Sequence, residues 1–187
     1  SADRRENSFL VRRDGTIAWS KNGLDYKRLR SFDNVNSISL YNHIIKTELE
    51  AGLDKLREGD YSKAIEYFSG FPVQNDLNRW YTSLFYGRAI AKYLSKDYEG
   101  ALSDINTANE EHLNQFNHSV AEPSQCMISM YSLKAKILKK LNRGTEFKMA
   151  FAYSNKVPTS YPTTYNRIRG YNVPYEVFNK NLHDLIK

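Results

Sequence analysis

The sequence predicts an all-α fold built from stacked helical hairpins, and three observations support this prediction. Apolar residues recur at spacings of three and four through most of residues 36–155. Short breaks containing Gly, Asp or Asn separate these helical patterns. One arrangement of small and aromatic residues occurs twice, at an offset of 37 residues from Ala64 to Ala101. The predicted organisation is an N-terminal extension (1–35), a helical domain (36–155), and an extended segment with a C-terminal helix (156–187).

The N-terminal extension is predicted to contain a small β-hairpin. Phe9–Val11 and Thr16–Trp19 are rich in β-favouring residues and flank the pair Asp14-Gly15. An Asp-Gly pair suits a two-residue hairpin turn because such a turn needs a positive φ at both positions. A second such pair, Asn22-Gly23, predicts a third short strand around residues 24–29.

The apolar periodicity predicts seven helices, with ends placed at capping residues, glycines and prolines. The long first helix carries an apolar face from Leu40 to Leu56. Pro174 stands where the first turn of the last helix tolerates a proline. The predicted helices run from Ser37 or Ser39 to Glu58, from Tyr61 to near Gly70, and over Leu77–Leu94, Tyr98–Glu111, Ser124–Leu141, Glu146–Ser154 and Tyr175–Ile186.

An internal repeat joins the first four helices. The segment 59–65 aligns with 96–102, and both contain an Asp-Tyr pair followed by an alanine. In the same frame Gly52 aligns with Ala89, so each unit has a small residue in both of its helices. Small side chains let two packed helices approach closely. A third unit places Ala135 in the same role.

This pattern resembles the tetratricopeptide repeat, whose units are about 34 residues long. The resemblance covers roughly residues 44–154 and implies a solenoid of two to three repeats closed by the C-terminal capping helix. Phe71 stands where the last alanine of the first unit would be. In the third unit Phe147 stands where the family has alanine, so this repeat is predicted to be degenerate or terminal. Other helical-hairpin solenoids remain the alternative. The residues assigned to repeat packing are Gly52, Ala64, Ala89, Ala101, Ala108 and Ala135.

The sequence contains no arrangement typical of a catalytic or metal site. Cys126 has no adjacent basic residue to activate it, and the glycines form no phosphate-binding loop. His112 and His118 do not share a helical face, so both are predicted to be loop residues. The chain is therefore predicted to be a non-enzymatic protein that requires no cofactor and no metal.

The family resemblance implies that the first helices of successive repeats line a concave groove for a peptide or a partner helix. Two lysines at one end of this groove favour an acidic or amphipathic protein partner. An alternative is that Leu49, Leu53 and Ile90 are packed beneath the N-terminal helix or hairpin. The implied groove residues are Leu49, Leu53, Tyr86, Ile90, Tyr93, Ser132, Lys136 and Lys139.

The net charge of +6 comes from the two ends of the chain, because residues 36–155 hold equal numbers of acidic and basic side chains. Basic residues beside aromatic ones suit nucleic acid or an anionic membrane, which gives a second, less favoured hypothesis. A structural subunit of a larger assembly is a third. The residues proposed for the nucleic-acid or membrane contact are Arg4, Arg5, Arg12, Arg13, Lys27, Arg28, Arg30, Arg167 and Arg169, with Tyr165 and Tyr171 among them.

No apolar run approaches the roughly 20 residues that a membrane-spanning helix needs. The sequence therefore predicts a soluble chain with no transmembrane segment. It begins with Ser rather than Met, which is compatible with a signal or anchor that has been removed.

Overall fold

The computed structural model describes residues 9–11, 17–20, 49–69, 80–116, 123–158 and 173–186, and most of these are helical. The backbone contacts divide the chain into two compact units, residues 1–45 and residues 46–187.

The described part of the first unit consists of two short strands, β1 (Phe9–Val11) and β2 (Ile17–Ser20). They pair antiparallel, with Leu10 opposite Trp19, and the register shifts between Leu10 and Val11. The predicted Asp-Gly turn and the predicted third strand lie outside the described residues.

The second unit contains seven helices within the described residues. The helix Tyr98–Phe116 extends five residues beyond its predicted end at Glu111, so His112 is helical, and its prediction as a loop residue is wrong. The helices are α1 (residues 49–58), α2 (Tyr61–Ser69), α3 (Trp80–Leu94), α4 (Tyr98–Phe116), α5 (Gln125–Lys140), α6 (Gly144–Ser154) and α7 (Val173–Asp184). The predicted start of α1, before residue 49, lies outside the described residues.

Three turns between helices share one geometry. Gly59, Lys96 and Asn142 adopt positive φ angles of 79°, 70° and 57°. In each turn this residue's amide donates to the carbonyl three residues earlier, and the next amide donates to the carbonyl five residues before it. This pair of hydrogen bonds is how a left-handed residue terminates an α-helix. The turns thus define three hairpins, α1–α2, α3–α4 and α5–α6, whose residues can be compared by counting from the turn.

Within the second unit, each hairpin packs against the next through contacts of α2 with α3 and of α4 with α5. The first two hairpins are in contact at the buried Phe68. A Cβ added to Gly52 would lie 2.6 Å from the Phe68 ring, and one added to Gly87 would lie 2.7 Å from it. Both glycines are therefore needed for the ring to fit between α1 and α3. All six residues assigned to repeat packing are buried.

A buried carboxylate joins the two helices of the second hairpin. Asp104 in α4 accepts two hydrogen bonds from Arg88 in α3, at 2.8 and 2.7 Å, and lies 2.8 Å from the ammonium of Lys92. Arg88 also donates to the Ser69 hydroxyl at 3.3 Å, which ties α2 to this group. These ion pairs and hydrogen bonds compensate for the cost of burying the charged Asp104 carboxylate.

The C-terminal helix does not lie where it was expected. It was predicted to close the last hairpin, whereas α7 packs mainly against α3 and α5. The physical reason is that α7 and its C-terminal turn form hydrogen bonds with side chains of α3 and α5 and bury Leu182 and Ile186. Phe151 on α6 is left 53% exposed.

Candidate functional site

The candidate site is the α3–α5 face, meaning the surface of α3 and α5 on which α7 packs. Four residues of α7 and its C-terminal turn are directed to the interior: Asn179, Leu182 and Ile186 are buried, and His183 is partly buried. They are spaced i, i+3, i+4 and i+7. That spacing is typical of a helix that lies in a groove formed by other helices.

Three polar contacts fix the position of α7 on the α3–α5 face. The Ser83 hydroxyl donates to Asn179 Oδ1 at 3.1 Å, and the Tyr86 hydroxyl lies 3.3 Å from His183 Nδ1. Lys136 Nζ donates to the backbone carbonyl of Ile186. A cation at the C-terminal end of a helix satisfies carbonyls that have no partner inside the helix. The α3–α5 face therefore recognises both the side chains and the end of a helix.

Tyr86 is at the centre of this contact. It is fully buried, and burial, with the nearby Cys126 and Asp184, raises the pKa of Tyr86 well above its usual range. The phenol therefore stays protonated at neutral pH. A neutral hydroxyl suits a hydrogen bond to an imidazole nitrogen at low cost in desolvation.

One group at this contact is imperfectly satisfied. The amide nitrogen of Asn179 is buried and has no hydrogen-bond partner within the described residues. A buried donor without a partner costs about 1–3 kcal/mol. The docking of α7 is accordingly weaker than its apolar contacts alone would make it.

The structure corrects the prediction of an open apolar groove. Leu49, Leu53, Tyr86 and Ile90 are all buried, so none of the four is open to solvent. For Tyr86 the cause is direct, since α7 covers it. Leu49, Leu53 and Ile90 are buried, as the alternative hypothesis expected, and the start of the N-terminal helix that this hypothesis placed over them lies outside the described residues.

The other four predicted groove residues are at least partly exposed. Lys136 contacts α7, as described above. Tyr93 lies beside the hairpin turn, where its ring centroid is 5.8 Å from that of Tyr98. Ser132 is partly exposed and Lys139 is exposed. Tyr86 in α3 and Lys136 in α5 therefore both contact α7 or its C-terminal turn, whereas Tyr93 lies elsewhere, beside the hairpin turn.

Ser83 and the four residues of α7 and its C-terminal turn were not among the predicted site residues. Helical spacing predicted the last helix, but spacing does not say which surface that helix covers. A polar pair within it, Asn179 and His183, could have indicated a partner with matching hydroxyls. Ser83 and Tyr86 supply these hydroxyls from positions more than 90 residues away in the chain.

In the described part of the chain, His112 lies where α4 contacts the start of α5. His112 is buried, and its Nε2 lies 3.0 Å from the Ser124 hydroxyl, which also accepts from the Met127 amide at the start of α5. Among the described residues there is no group of three or more acidic, His or Cys side chains that would hold a metal ion. The residues proposed for the nucleic-acid or membrane contact lie outside the described residues.

None of the helices in the described ranges combines the length and apolar character needed to cross a bilayer. No protein-family model, curated protein or solved structure matches the chain.

Proposed function

We propose that residues 46–187 form a tetratricopeptide-like, non-enzymatic scaffold that binds a helix of a partner protein on the α3–α5 face. The observation that carries the proposal is the position of the chain's own α7, which lies on this face with apolar and polar contacts. A surface that holds one helix in cis has the shape and hydrogen-bonding groups to hold a similar helix in trans.

The contacts define what the partner helix should carry. It should present an amide, a large aliphatic residue, a hydrogen-bonding ring and a second aliphatic residue at i, i+3, i+4 and i+7, as α7 does from Asn179 to Ile186. Lys136 favours a helix that ends, or bears a carboxylate, close to its ammonium. In this proposal α7 and the partner compete, and the buried amide nitrogen of Asn179, which has no hydrogen-bond partner within the described residues, weakens the docking of α7.

The repeat assignment is supported by the three shared turns and by the small residues buried between helices. Stacked hairpins of this kind use the surface of their first helices for binding. The first helices of the second and third hairpins are α3 and α5, which together form the face that α7 covers.

The test uses the full chain with Leu182→Asp, which puts a charge into the buried contact of α7. Lys180→Asp is the matched control, because Lys180 is exposed on the same helix. A labelled peptide of residues 173–187 is then titrated into each variant. We expect the Leu182→Asp chain to bind this peptide at least about tenfold more tightly than the wild type or the control.

Hydrogen exchange shows which residues the Leu182→Asp substitution releases. Faster exchange confined to residues 173–186 is expected, because α7 is released while α3–α6 stay folded. If Leu182→Asp unfolds those helices as well, the milder pair Asn179→Ala and His183→Ala replaces it. Failure of the peptide to bind any folded, released variant would contradict the proposal.

A further inference from the structure

A second surface, distinct from the α3–α5 face, lies on the outer side of α6. The rings of Phe147 and Phe151 stack on each other there with centroids 5.6 Å apart. Phe151 is half exposed, and Val157 just beyond the helix is 76% exposed. A stacked aromatic pair in which one ring stays half exposed is a candidate interaction surface.

The same position in the two preceding hairpins shows what such a side chain does. Counted from the shared turns, Phe151 corresponds to Phe68 in α2 and Ile105 in α4. Phe68 is only 2% exposed because its ring enters the space left by Gly87 on the first helix of the next hairpin. Ile105 is fully buried in α4, which packs against α5. In the first two hairpins this position therefore holds an apolar side chain that is buried where the next hairpin packs.

Charge indicates the character of the helix that would cover Phe151. Residues 134–156 contain seven Lys and Arg side chains and a single acidic one, Glu146. Glu146 is already paired with Arg143, at 2.7 and 3.0 Å. Lys139, Lys140, Lys148 and Lys156 are exposed. A second copy of this face would be repelled by like charge, whereas a ligand with carboxylates would be attracted.

We infer that the outer face of α6 is a docking site for a helix of a partner protein that carries Gly or Ala opposite Phe151 and acidic residues on its flanks. The small residue admits the phenylalanine ring, as Gly87 admits Phe68. The acidic residues pair with the exposed lysines around α6. The partner helix takes the place that the first helix of another hairpin would occupy.

The probe is a labelled peptide with the sequence of α3, Trp80–Leu94, carrying Arg88→Glu and Lys92→Glu. This helix presents the glycine that receives Phe68, and the two substitutions provide the carboxylates. Two further peptides serve as comparisons: the unsubstituted sequence, and the acidic peptide with Gly87→Leu. Each peptide is titrated into the full-length protein and followed by fluorescence anisotropy.

The protein variants are Phe147→Ser with Phe151→Ser, and Met149→Ser as the matched control. Met149 is 70% exposed on the same helix but on another side. We expect the double variant to bind the acidic peptide at least about tenfold more weakly than the wild type, and the control to stay within about twofold. The Gly87→Leu peptide should lose at least about tenfold, and about 0.5 M salt should weaken the acidic peptide.

Other occupants give different results with the same proteins. Single-stranded DNA, anionic lipid vesicles and self-association in a sedimentation series are measured in parallel. The inference is overturned if the acidic peptide does not bind, if Met149→Ser weakens it as much as the double variant, or if the basic peptide binds better. It is also overturned if the phenylalanine pair is required only for DNA, vesicles or dimers.

Discussion

The second hairpin (α3–α4) and the third (α5–α6) have the same turn but a different charge balance. In both, a cation lies over an aromatic ring at matching positions, with Arg88 5.0 Å from the Phe85 ring and Lys134 5.5 Å from the Tyr131 ring. In the second hairpin the cation is bonded to Asp104. In the third hairpin Ala150 occupies the position of that carboxylate.

This difference shows what distinguishes an interior hairpin from a terminal one. The second hairpin is covered by α2 on one side and by α5 on the other, and Asp104 pairs with both Arg88 and Lys92 inside it. In the third hairpin burial lowers the pKa of Lys134, and Phe151 of α6 remains exposed. The same backbone geometry therefore occurs in a hairpin packed on both sides and in one that leaves an aromatic side chain exposed.

The largest expected effect comes from Asp104→Ala. This change leaves Arg88 and Lys92 partly buried without their carboxylate, and removal of one partner from a buried pair is strongly destabilising. We expect a loss of about 3 kcal/mol in the free energy of unfolding, measured by urea denaturation.

The control is Asp54→Ala, which removes an exposed carboxylate paired with Arg57 on α1. Exposed pairs of this kind contribute little, so a change within about 0.5 kcal/mol is expected. Equal losses for Asp104→Ala and Asp54→Ala would show that the buried group of the second hairpin has no special role.

A smaller effect on the free energy of unfolding is expected when one glycine in each of the two hairpins is replaced by alanine. Gly87→Ala places a methyl group against the Phe68 ring. The ring has no room to move away, because α1 lies close to it on the other side at Gly52. Overpacking typically costs about 1–3 kcal/mol, and the better helix propensity of alanine returns part of it, so a net loss of about 1–2 kcal/mol is expected.

Gly144→Ala is the matched change in the third hairpin, because no atom lies within 4 Å of the added methyl group. There the substitution should be neutral or should stabilise by about 0.5 kcal/mol, since alanine has fewer unfolded conformations. Urea denaturation of the two variants measures both effects. Tolerance of Gly87→Ala would contradict the packing described for α1, α2 and α3, and destabilisation by Gly144→Ala would contradict the open space described at the start of α6.

Much of this comparison could be predicted from the sequence because it depends on local pattern. The turns at Gly59 and Lys96 and the buried alanines follow from helical spacing and from the repeat itself. The pairing of Asp104 with Arg88 depends on how α3 and α4 face each other, which spacing alone does not determine. The docking of α7 was missed for the same reason, since Ser83 and Asn179 are joined only by tertiary structure.

The smallest effect expected concerns the start of the second helix in each hairpin. Asp97 caps α4, because its Oδ1 accepts a hydrogen bond from the Gly100 amide at 3.0 Å. Arg143, at the matching position before α6, makes no side-chain capping bond. Asp97→Ala should therefore cost about 1 kcal/mol, whereas Arg143→Ala should change the stability much less.

The reverse exchange sharpens the comparison. Arg143→Asp supplies a capping carboxylate at the start of α6 but gives up the exposed pair with Glu146. Because a cap contributes about 1 kcal/mol and an exposed pair less, a small net gain is expected in urea denaturation. A loss of stability would mean that the Arg143–Glu146 pair, and not the missing cap, determines how α6 begins. The third hairpin would then differ from the second in its own local interactions as well as in what covers it.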